Sequence, residues 1–182
     1  MNLGELKQRT YKLIEEYTST DTTNYTSDPD YSTKFNTVAN VILNELNSYV
    51  KKAVVETMDV HKGDEIQLDE ELDRFFLLKR ITGVKYSIID RFVTFEEDGE
   101  AKIYYYQYPV QIKEDSDNDT KIDLTEPQAI ECMIWGIASD ILKMDVSNQY
   151  GAMFSSRYVE LKGELDNRIN QGTIHIEGGI DV

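Results

Sequence analysis

Cysteine, histidine and positive charge are scarce in this chain, and each scarcity removes a class of function. The single cysteine, Cys132, excludes an internal disulfide framework and suits a reducing compartment. No nucleophile motif surrounds it, so it reads as a small apolar residue beside a helical stripe. The two histidines, His61 in an acidic loop and His175 near the end, lack H-x-x-x-H spacing, which indicates neither metal ligation nor a catalytic triad. Neither a G-x-x-x-x-G-K-[ST] phosphate loop nor a G-x-S-x-G elbow occurs. The chain is therefore expected to be no enzyme and to need no cofactor. With 19 basic against 34 acidic residues the formal net charge is -15, which argues against gripping nucleic acid phosphates and favours solubility through self-repulsion. No apolar stretch approaches the ~20 residues needed to span a bilayer. The opening Met1-Asn2-Leu3-Gly4-Glu5-Leu6-Lys7 has no basic flank before an apolar run, so no signal peptide is expected, and the protein should be soluble and stay where it is made.

What is present is helical periodicity towards both ends. The 182 residues, 40% of them hydrophobic, suffice for one substantial core, and a single domain is expected over 1–182. Leu3, Leu6, Thr10, Leu13, Ile14 and Tyr17 share one face of a first helix. A polar run from Thr18 to Asp28 ends it. Asp28-Pro29-Asp30 then starts a second helix carrying Phe35, Val38, Ala39, Ile42, Leu43, Leu46 and Val50. These form an N-terminal helical pair over 1–52. A C-terminal helical hairpin spans 125–172. Thr125-Glu126-Pro127-Gln128 reads as its capping box, and Ile130, Met133, Ile134, Ile137, Ala138, Ile141 and Leu142 make a continuous stripe to about Met144. A last helix runs from about Ser147 through Tyr150, Phe154, Tyr158, Leu161, Leu165 and Ile169 to Gly172.

Between the two pairs the period changes from helical to extended over 53–112. Val54, Val55, Met58 and Val60 suit a strand, Ile66-Gln67-Leu68 follows the Lys62-Gly63-Asp64 turn, and Phe75 to Ile81 is too densely apolar for a half-exposed helix. Tyr86 to Phe95 and Ala101 to Tyr108 read as a hairpin turning at Asp98-Gly99, with Pro109 closing the strand. The expected fold is thus α+β but mainly α: a four-helix core of two pairs, one small inserted antiparallel sheet and an extended tail. Within Tyr104, Tyr105, Tyr106 and Tyr108, strand alternation puts Tyr105 on the opposite face from the other three. With no basic neighbours in sequence, these tyrosines read as packing and not as a nucleic acid platform.

The acidic loop over 113–124 raises calcium. Asp115, Asp117, Asp119, Asp123 and Glu126 occupy positions 1, 3, 5, 9 and 12 of a calcium loop, with Ile122 at position 8. Against this, Thr120 stands where the sharp turn wants glycine, a strand and not a helix precedes the loop, and Thr125 and Glu126 already serve the helix start. A solvated loop is the preferred reading, and a calcium-dependent binding module is the alternative function.

Several local words occur in a specific order: the Leu6-to-Tyr17 helix; Asp30-Tyr31 leading a helix rich in Asn and Leu; Ile103-Tyr104-Tyr105-Tyr106-Gln107-Tyr108-Pro109; Asp123-Leu124-Thr125-Glu126-Pro127; Trp135-Gly136-Ile137-Ala138-Ser139; and Tyr158-Val159-Glu160-Leu161-Lys162. In this order the chain resembles the head-tail connector (adaptor) proteins of long-tailed bacteriophages, over nearly its whole length. The resemblance implies a structural virion protein made in the host cytoplasm and located at the head-tail junction. It implies a homo-oligomeric ring, commonly dodecameric, that binds the portal protein above and a tail or further connector protein below. DNA would pass through without specific binding, and no membrane is involved. The inserted sheet departs from the smallest, nearly all-helical connectors and places the chain among elaborated relatives.

A closing head-to-tail ring needs two different faces on each subunit. Trp135, Met144, Tyr150, Met153 and Phe154 are candidates for a second apolar face, although Trp135 serves equally as a core anchor within its own subunit. The tail over 173–182 alternates as a strand through Ile174, His175, Ile176, Glu177, Gly178 and Gly179, and an apolar strand pairs with a sheet of its own chain or of a neighbour. By resemblance, it docks on the portal or the adjacent subunit.

Overall fold

A computed structural model describes residues 1–18, 29–143 and 150–169, with side chains at 1–15, 33–143 and 150–165. The elements in order are α1 Leu3–Thr18, α2 Pro29–Leu46, β1 Lys52–Val60, β2 Glu65–Gln67, α3 Leu68–Glu71, β3 Phe75–Thr82, β4 Tyr86–Ile89, β5 Phe92–Phe95, β6 Gly99–Gln107, α4 Pro127–Lys143 and α5 Gly151–Ile169. The chain divides into two compact units, one of Met1–Ile42 with Ile112–Val182, the other of Leu43–Gln111.

The expected mainly-α fold, with a four-helix core and one small sheet, is overturned. Among the described residues there are five helices, α3 being a single turn, and the strands form two separate three-stranded antiparallel sheets, ordered β1-β6-β3 and β2-β5-β4. Within the helical unit α1 packs along α4, which in turn packs along α5.

The helical unit starts from a cap that the sequence reading missed. The Asn2 side chain accepts from the Glu5 N–H at 2.8 Å, and Glu5 Oε2 accepts from the Asn2 N–H at 3.0 Å. This reciprocal pair satisfies donors that a helix start leaves open. Leu3, Leu6, Thr10, Tyr11 and Ile14 of α1 are buried, and Tyr11 meets Phe35 of α2 with ring centroids 5.6 Å apart. Burying each large apolar side chain contributes about 1.5–3 kcal/mol. Helix α4 begins with Pro127 in its first turn, the Glu126 carbonyl accepting from the Ile130 N–H at 3.0 Å. That start lies one residue later than a Thr125 cap requires.

Cys132, Met133, Gly136, Ile137 and Ser139 are all buried, so α4 is covered on more than one face. Gly136 is where the crossing is tightest: a Cβ there would lie 2.9 Å from Tyr158 Cε2 and 3.0 Å from Ile42 Cγ2. Gly136→Val should therefore lower stability by about 1–3 kcal/mol through overpacking, against a much smaller gain in helix propensity. A urea midpoint unchanged from wild type would contradict this packing.

In the other unit the inner faces of both sheets share one core of Val60, Ile81, Val93, Phe95, Ile103 and Tyr105, closed by Leu68 and Leu72 from around α3. The hairpin expected between Tyr86–Phe95 and Ala101–Tyr108 is corrected here. Tyr86–Ile89 and Phe92–Phe95 pair with each other, turning at Asp90-Arg91 with Asp90 at φ 59. The charged pair interrupts the apolar run, and Asp tolerates the left-handed region in a tight turn. β6 pairs instead with β1 and β3, in the other sheet. Arg91 then reaches the Asp69 carboxylate, a hydrogen bond that holds this carboxyl below its ordinary range.

Candidate functional site

Alternation along β6 sorts its side chains into two classes. Ala101, Ile103, Tyr105 and Gln107 point to the core, while Lys102, Tyr104 and Tyr106 lie on the outer face. Tyr105 is 1% exposed, its hydroxyl long-bonded at 3.4 Å to Glu56 and to Gln107, and burial pushes its phenol above the ordinary range. The inner glutamine is well satisfied: Gln107 donates to the Asp73 carbonyl at 3.0 Å and accepts from Arg74 at 3.1 Å.

The outer face is of a different character. Arg80 lies over the Tyr104 ring at 4.5 Å, and Lys51 and Lys79 approach the Tyr106 ring at 5.5 and 5.9 Å. Val55 beside Tyr104 and Leu77 beside Tyr106 are 51% and 47% exposed, so nothing within the strand-rich unit covers this sheet face. Lys102 at one end is neutralised by Glu100 at 3.4 Å. The sequence reading missed these cations because they come from the entry to β1 and from β3 and not from beside the tyrosines. The Lys79-Arg80 pair within a strand was the signal available. The register shifts between Leu78 and Arg80, where Lys79 is the extra residue of a bulge.

The acidic loop has a structural task. Its carbonyls at Thr120 and Asn118 accept from the Leu3 and Gly4 N–H groups at 2.8 and 2.9 Å, and Ile122 N–H donates to the Met1 carbonyl at 3.2 Å. The loop thereby satisfies the first turn of α1. Asp117, itself exposed, accepts from Asp119 N–H at 3.0 Å and from the Thr120 hydroxyl at 3.2 Å. Asp115 and Asp119 are exposed, Asp123 is half-buried between buried Ile122 and Leu124, and Glu126 leads into α4. Among the described residues no three carboxylate, histidine or cysteine side chains form a metal-holding group.

The apolar candidates on the last two helices divide. Trp135 packs on Phe154 at 5.1 Å and donates from its indole N–H to Glu131 at 3.0 Å, and Glu131 also accepts from Arg9 at 2.8 Å. Phe154 is buried and Tyr150 half-buried, which leaves Met153 exposed, with exposed Val159 six residues further along α5. Met144 and the tail candidates Ile174, His175, Ile176, Glu177, Gly178 and Gly179 lie outside the described residues. Ile89 and Phe92, paired beside the turn of the β4–β5 hairpin, and Ile88 are exposed apolar residues not foreseen. Among the described residues no helix is long and apolar enough to cross a membrane.

No protein-family model matches the chain, and no curated protein matches it.

Proposed function

We propose that this chain is a structural connector subunit that oligomerises into a ring joining a phage portal to the tail, around a channel through which DNA passes. It acts by geometry and charge and catalyses nothing. The reading is carried by the order of the words in the sequence, and two of those words meet in the structure. Gly136, from the Trp135-Gly136 word, packs against Tyr158, from the Tyr158-Val159-Glu160 word. Asn40, from the Asn-rich helix, accepts from the Ile112 N–H and donates to the Ile112 carbonyl, both at 2.8 Å. The acid-rich composition supports a lining that does not hold DNA.

The site of this protein is then the head-tail junction of the virion, its partners the portal, its own copies and the next protein of the tail. Co-expression with the portal protein of the same genome tests the proposal. The two should co-purify in a fixed ratio; a portal that purifies without this chain would overturn it.

A further inference from the structure

In a chain of net charge -15, the outer face of β1-β6-β3 gathers Lys51, Lys79 and Arg80 onto Tyr104 and Tyr106. We infer that this face is the docking surface for the acidic loop of a second copy of the chain, engaging Glu114, Asp115 and Asp119. Charge complementarity carries the assignment. The three acids are exposed, and none of them is the carboxylate that holds the loop's own turn, which is Asp117. The loop backbone is fixed by its bonds to the start of α1, so it presents the acids at little ordering cost. The sheet face answers with cations lying over aromatic rings, where the guanidinium and ammonium groups are held in place and still have donors to offer carboxylates. Exposed Val55 and Leu77 supply apolar area around them.

A single nucleic acid strand is the competing occupant, since basic and aromatic side chains on a sheet also suit base stacking. Two features disfavour it: the ring faces already carry cations, which stacked bases would have to displace, and the chain as a whole repels phosphates. Sheet face and acidic loop are different surfaces, so their contact is head-to-tail, the kind that closes a ring. The inference rests on the connector reading for its oligomer and adds the interface.

The test reverses each side. Lys79→Glu with Arg80→Glu reverses the face; Asp115→Lys with Asp119→Lys reverses the loop. Self-association, followed by light scattering with circular dichroism as the folding control, should weaken about tenfold or more in either variant alone and fall with added salt. Mixing the two variants should restore assembly, because each reversed face then meets a reversed loop. Association equal to wild type in either variant, no rescue on mixing, or a wild-type chain that stays monomeric would overturn the inference. Oligothymidine binding that the face variant abolishes would overturn it in favour of a nucleic acid occupant. Portal binding separates the two claims: a monomer that still binds portal defeats only this interface, whereas a rescued oligomer indifferent to portal defeats only the connector reading.

Discussion

Gly83→Ala is expected to destabilise the strand-rich unit by more than about 3 kcal/mol, combining left-handed strain with a steric collision. Gly83 follows β3 with φ +98, and a Cβ there would lie 2.2 Å from the Glu100 backbone oxygen in β6. No rotamer relieves a clash made by Cβ itself, and the oxygen belongs to a central strand that cannot retreat without breaking its ladders with β1 and β3. The melting temperature should fall by at least roughly 6 °C, at about 2–4 °C per kcal/mol for a chain of this size. Gly63→Ala is the control. Its φ is +93 but the space beside it is open, so only the conformational cost of about 1–2 kcal/mol applies. Equal melting of the two variants would show that the close approach to Glu100 is wrong.

Asn40→Ala is expected to cost about 2–4 kcal/mol, because it removes two hydrogen bonds and leaves a half-buried backbone N–H and C=O without them. Both bonds run to Ile112, at 2.8 Å each, where the chain returns to the helical unit. Asn36→Ala, one helical turn earlier, loses a single bond to the Lys113 carbonyl and should cost about 1 kcal/mol. Amide exchange gives the direct readout: Ile112 should lose protection in Asn40→Ala far more than in Asn36→Ala. An Ile112 amide equally protected in wild type and in Asn40→Ala would contradict the clamp.

The helices were legible because their signal is local. Leu3, Leu6, Thr10 and Ile14, and the Phe35-to-Leu46 series, fall on buried faces as their three- and four-residue spacing requires. The split of Tyr105 from Tyr104 and Tyr106 followed from strand alternation for the same reason. Pairing was not legible, since nothing in Gly99–Gln107 itself says that Lys52–Val60 and Phe75–Thr82 flank it. An apolar run read as one strand concealed the turn at Asp90-Arg91, and one sheet was expected where two exist. The candidate site shows the same division. Its tyrosines were visible in sequence, but the cations that give them their character arrive from other strands. The acidic loop read as solvated, because its spacing cannot reveal that the Asn118 and Thr120 carbonyls accept from the first turn of α1.

The proposed connector has to assemble with a portal. Mass photometry of the purified protein, alone and mixed with the portal protein of the same genome, tests it most directly. The account predicts a discrete high-mass complex of fixed stoichiometry in the mixture, whether the free chain is monomer or ring, and loss of that complex on removal of residues 173–182 would assign the docking to the tail. A chain whose mass distribution is the same with and without portal would contradict the account.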